Sequence, residues 1–202
     1  MTEETLGSRL LRVFIDTEFT SVEVPELLSI GMASEDDGCE MYAELDLDSE
    51  TGRRRVRQSS NFVLTHVLPQ FRKMPPWLAD ESSRKATATT LPDVSVALLQ
   101  LAAAKWLYAL IEHFNRDLEL VYADKVDGDL LEAALSSTGK WWALIEGRLS
   151  WSIVSYLHGE AGCKVASDDS WTESRRHDGV GRHHALADAR ALRAAFIAMH
   201  GN

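Results

Sequence analysis

Asp16 and Glu18 close the β-rich run Arg12 to Phe19, RVFIDTEF. Residues two apart on a strand face the same way, so these carboxylates would stand side by side at the strand's end. Two anions that close repel, and a divalent cation between them relieves the repulsion. Taken alone, a D-x-E pair is better explained by a solvated strand end, so the other acids matter. Near the C-terminus, the run RHHALADARAL from Arg182 to Leu192 puts Asp188 in the early turns of a helix, with His183 at its entrance. An imidazole titrates near pH 6.5 and can act as a base around neutrality. Between these two segments, Asp124, Asp127 and Asp129 crowd a strand-to-helix junction. Helix capping accounts for one of the three and leaves the others unexplained.

The elements that must position these groups can be read from apolar periodicity and turn chemistry. Arg12 to Phe19, Leu27 to Ala33 and Glu40 to Leu45 read as three strands joined by short turns, an antiparallel meander. Ser49 to Ser60 is polar and basic and reads as an exposed loop; Asn61 to Phe71 reads as a short helix, and Met74 to Thr90 as irregular chain. Asp93 looks like the N-cap of a long helix reaching about Asn115. Leu118 to Ala123 is a fourth strand, Gly128 to Leu135 the helix after it, and Ala185 to Met199 a clear final helix. Trp141 to His158 is apolar without a clear period. Gly159 to Arg182, charged and glycine-bearing, reads as mobile. Trp141, Trp142, Trp151 and Trp171 are assigned to core or subunit packing. A meander followed by alternating helices and strands implies a mixed-sheet α/β fold flanked by helices, formed as a single domain over residues 1–202.

The run FIDTEFT, followed by LLSIGMA and an EMYAE strand, resembles the first motif of the DEDDh 3′-to-5′ exonucleases. HHALADAR resembles their third motif, H-x-A-x-x-D, with His183 and Asp188 at its fixed positions. The similarity is closest to the small 3′-to-5′ exoribonucleases of the RNase AS kind and covers about Arg12 to Leu45 and Arg182 to Phe196. For the second motif, Val126-Asp127 with Leu130 and Leu131 fits better than Asp124, which stays as the alternative; Ala123 stands where many relatives carry asparagine.

The resemblance implies a ribonuclease-H-like fold and release of nucleoside 5′-monophosphates from the 3′ end of single-stranded RNA. It implies that Asp16, Glu18, Asp127 and Asp188 hold two Mg²⁺ or Mn²⁺ ions about 4 Å apart, that His183 is the general base, and that Phe19 and Thr20 pack on the terminal nucleotide. Relatives are commonly homodimers. A DNA exonuclease built on the same carboxylates, or a silent nucleic-acid-binding module, are the competing expectations.

Composition bounds these expectations. A net charge of -10 argues against a broad basic surface for nucleic acid, while acids gathered for metal would add to that charge. Arginine clusters occur at Arg53, Arg54, Arg55 and Arg57 and at Arg175, Arg176 and Arg182, and the plain expectation for each is a solvated loop. The apolar stretch Val94 to Ile111 is broken by Gln100 and Lys105 and reads as a buried helix. Without a secretory pattern at the start, the cytoplasm is the expected compartment. Cys39 and Cys163 carry no CxxC spacing and are expected to be structural thiols.

Overall fold

The computed structural model describes residues 10–36, 38–71 and 89–200. Strands β1 (Leu11–Phe19), β2 (Leu27–Ser34) and β3 (Glu40–Leu45) form the antiparallel meander that the sequence predicts. They are extended by β4 (Thr89–Val94), β5 (Leu118–Tyr122) and β6 (Leu149–Ile153), each parallel to its neighbour, giving a mixed six-stranded sheet in the order β4-β3-β2-β1-β5-β6.

Both faces of the sheet are covered, which is why β2 and β3 are buried along nearly their whole length. On one face, Leu11, Val13 and Ile15 of β1 join the large core with α2 (Val96–Phe114), α3 (Lys125–Ser136) and α4 (Lys140–Ile145). On the other, Phe14 packs with Leu192 and Ala195 of the last helix, α6 (Ala185–His200), and with Cys163 of α5 (Ala161–Asp178). Asp16 and Glu18 share the parity of Phe14 and therefore belong to the α6 face. No described helix is long and apolar enough to cross a membrane.

Four expectations need correction. The stretch Ser49 to Ser60 is not a loop: Glu50–Gln58 is a helix, α1. Ser49 caps it by accepting from Gly52 N at 2.9 Å, and Arg54 reaches Glu26 at 2.7 Å. The long helix α2 is capped by Ser95, whose hydroxyl accepts from Leu98 N, and not by Asp93. Asp93 has a φ of 52° and lies where β4 carries one residue more than β3 between the pairs Ala43–Leu91 and Leu45–Val94. Aspartate tolerates that left-handed bulge position. Most of the stretch Met74 to Thr90 lies outside the described residues, but its last two residues, Thr89 and Thr90, begin β4.

The largest departure is α5, an 18-residue helix where the sequence reads as mobile. Its α6-facing side runs Cys163, Ser167, Trp171, Ser174, Asp178, a helical spacing built mostly from polar residues. Cys163 Sγ and Ser167 Oγ donate to the carbonyls of Ala195 and Ala191, and Asp178 bonds Arg190. A hydrogen-bonded packing of this kind leaves no hydrophobic period to detect. Gly179, with φ at 72°, ends the helix in the left-handed conformation that glycine adopts without cost.

Candidate metal centre

The register of the sheet brings the first and third acidic segments together. Asp16 pairs with Gly31 across β1 and β2. A Cβ at Gly31 would lie 2.2 Å from the backbone of Ala185 and Leu186, so only glycine lets the first turn of α6 rest on β2 there. That close approach sets Asp188, in the first turn of α6, beside Asp16 and Glu18. The fixed Gly31 and the alanines at 185 and 187 are thus the local means by which two distant acids meet.

The second segment resolves the choice between its aspartates. Asp124 is the N-cap of α3 and accepts from Val126 N at 3.0 Å. Asp127 is buried, and its Oδ1 accepts from Thr17 N at 3.0 Å and Thr17 Oγ1 at 2.6 Å, the residue between Asp16 and Glu18. Asp129 is exposed and pairs with Lys125. Gly128 allows this turn to sit tight: a Cβ there would meet the Tyr122 ring at 2.6 Å.

Electrostatics mark the cluster. Burial, then Asp127, Asp188 and Glu18, push the Asp16 carboxyl well above the carboxylate range, and burial with Asp188 and Asp127 does the same to Glu18. Asp127 is raised to about 6 by burial, against the lowering effect of its Thr17 hydrogen bonds. Asp188 is raised to about 7 by burial, against the hydrogen bonds of Trp171 Nε1 (2.5 Å, to Oδ1) and His183 N (2.8 Å, to Oδ2). Among the described residues no lysine or arginine forms an ion pair with any of the four acids. Ligand atoms of Glu18, His183 and Asp188 lie within 4.8 Å of one another. Clustered hard oxygen donors with one imidazole at the edge fit a divalent ion of the Mg²⁺ or Mn²⁺ kind.

His183 adopts a φ of 66°, a conformation that a non-glycine residue holds only under constraint from its surroundings. The constraint comes from its own N–H on Asp188 and from a wall of rings. Phe62 meets the His183 ring edge-on at 4.9 Å between centroids, and His66 lies 5.9 Å away. Burial, with Arg182 and His66 nearby, lowers the His183 pKa from its ordinary value. The ring is therefore neutral, and a proton acceptor, at pH 7.

Phe19 is half-buried at the end of β1. Thr20 is buried, and its hydroxyl is used within its own turn, donating to Val24 O and accepting from Glu26 N. Ser60 N donates to Thr20 O at 2.8 Å, which fastens the Phe62 segment beside Phe19. Thr20 thus holds the rim instead of offering a side chain to a ligand.

Phe62, His66 and Trp171 were not singled out by sequence as site residues. Phe62 and His66 stand four apart, a spacing that shares a helix face and was the available signal. Trp171 had none, since the helix carrying it shows no apolar period. Trp141, Trp142 and Trp151 do pack on the large core, as expected. No family model matches the chain, and no curated protein matches its sequence.

Proposed function

We propose that the chain is a divalent-metal-dependent 3′-to-5′ exoribonuclease of ribonuclease-H-like fold, releasing nucleoside 5′-monophosphates from single-stranded RNA. One observation carries this: Asp16, Glu18, Asp127 and Asp188, drawn from three remote segments, meet in a largely buried cluster in which, among the described residues, none forms an ion pair with a lysine or arginine and only Arg182 offsets Asp188 from a distance. Mutual repulsion of that kind is stable only if protons or an external cation fill the gap. The four acids would hold Mg²⁺ or Mn²⁺, which when bound supply positive charge to a phosphoryl group and acidify water.

The chain's own residues supply the rest. Phe19 and the Phe62–His66 wall offer ring faces and edges for the terminal base. His183, neutral at pH 7, takes the proton from water as its oxygen bonds to phosphorus and the bond to the upstream 3′ oxygen breaks. Asp188 links the two tasks, because the carboxylate that would bind metal also holds the His183 backbone N–H at 2.8 Å. The preference for RNA and a homodimeric assembly rest on the motif resemblance.

The test is a 5′-labelled RNA incubated with Mn²⁺. A ladder shortening from the 3′ end, abolished by EDTA and by His183→Ala, is expected. Faster loss of a DNA ladder would make the chain a DNA exonuclease, and binding of RNA with no shortening at all would make it a binding module.

A further inference from the structure

Beside the acids, a cavity of about 660 Å³ opens between α5 and α6, with Asp16, His183 and Asp188 on one wall. This is the size of a ligand pocket, which typically spans about 300–1,000 Å³. Its floor is apolar, made by Cys163, Leu192 and Ala195, and Ala123 at the end of β5 contributes only a methyl. Its rim carries two cations, Lys164 and Arg182, against one anion, Asp168. Arg182 lies over the Trp171 ring at 5.1 Å, and the same indole donates to Asp188. The cavity is thus one space with the acid cluster.

We propose that this groove takes the RNA strand upstream of the scissile phosphate, with Lys164 and Arg182 on its backbone phosphates and the apolar floor under the first upstream nucleoside. The inference rests on the exonuclease function proposed above. A phosphodiester centred on the acids has one nucleotide on each side. The side toward Phe19, Phe62 and His66 is tied together by the Ser60–Thr20 hydrogen bond and offers rings for one terminal nucleotide. The groove lies on the α5 side of the same acids, and its rim cations, Lys164 on α5 and Arg182 in the turn before α6, are both exposed and give a continuing strand a way out along the surface. In a chain of net charge -10, a cation at each of two rim positions next to an anionic centre has the sign that phosphate needs.

Hydrolysis of oligouridylates of two and seven nucleotides with Mn²⁺ tests this in wild type, Lys164→Glu and Ser167→Trp, the last filling the groove. Wild type should prefer the heptamer in kcat/KM, through KM. Lys164→Glu should lower that heptamer-to-dimer ratio about five-fold or more and flatten the salt dependence of heptamer binding by about 0.7 in log–log slope for each phosphate it no longer neutralises, while Ser167→Trp should raise KM about five-fold or more for both oligomers, since each seats a nucleoside on the floor. Thermal melting should show that both variants fold. Lys164→Glu with the length preference and salt slope of wild type, or Ser167→Trp with wild-type KM for both oligomers, overturns the groove assignment while leaving the exonuclease intact. A wild-type chain that shortens neither oligomer removes the exonuclease function, and the groove assignment with it.

Discussion

Helix α6 carries two buried charges two residues apart, and their surroundings are opposite in kind. Arg190 is held by Glu40 of β3 in a two-pronged pair at 2.9 and 2.6 Å and by Asp178 of α5, all three nearly out of solvent. Asp188 faces three other acids and is offset by hydrogen bonds from Trp171 and His183 and, without an ion pair, by the nearby Arg182, which together leave it raised to about 7. The first cluster is matched within the chain and joins α5, α6 and the sheet. The second is mismatched among the described residues, a surplus of negative charge that an external cation would balance. A buried charge that finds its partner reports on assembly of the fold, while one left facing like charges reports on a ligand.

The comparison breaks first on activity. Asp16→Asn should cost at least about 10³-fold in RNA hydrolysis, the scale of losing one electrostatic contributor to a transition state, while its metal-free melting temperature holds or rises because a repelled anion is gone. Activity within ten-fold of wild type would place the chemistry elsewhere. Arg190→Met should do the reverse, leaving Glu40 and Asp178 buried without their cation at a cost of about 3–5 kcal/mol. Urea unfolding measures this, and a midpoint equal to wild type would mean that the matched cluster contributes nothing to the fold.

Acidity sharpens the same contrast. Asp127 at about 6 and Asp188 at about 7 lie above the ordinary value of 3.8, so the folded chain holds more protons than the unfolded one between those limits. Their contribution to stability is complete below about pH 4 and is lost as pH rises through 6 and 7. Metal-free wild type should therefore lose melting temperature from pH 5 to 8 relative to a double variant Asp127→Asn, Asp188→Asn, and Mn²⁺ should stabilise it more as pH increases. Parallel melting profiles for the two proteins across that range would contradict the raised acids. The smallest effect expected is that of Trp171→Phe, which removes one hydrogen bond to Asp188 and should change Mn²⁺ affinity about three- to ten-fold. An unchanged affinity would show the indole to be mere packing.

Legibility in the sequence followed the kind of force at work. β1, β2 and β3 were readable to within a residue because they are short β-rich runs bounded by turn residues, and α2 and α6 because their buried stripes are apolar. Helices α1 and α5 were misread because a serine cap with arginine pairs builds the one, and hydroxyl, thiol and carboxylate bonds anchor the other. Asp16, Glu18 and Asp188 stood out through the motif resemblance, since spacing alone left a solvated strand end and an exposed helix aspartate open. Asp127 was preferred to Asp124 for the apolar residues around it, but both suit the start of a helix; the Thr17 bonds to Asp127 and the capping bond of Asp124 distinguish them. Trp171 was out of reach, as its role depends on the packing of α5 onto α6.

Calorimetric titration of Mn²⁺ into the metal-free chain at pH 7.5 tests the mismatched cluster most directly. Saturable binding of two ions is predicted for wild type, weakened at least ten-fold in Asp16→Asn and preserved in a Lys125→Ala control at the exposed pair beside Asp129. Absence of saturable heat in wild type, or equal binding in Asp16→Asn, would contradict it.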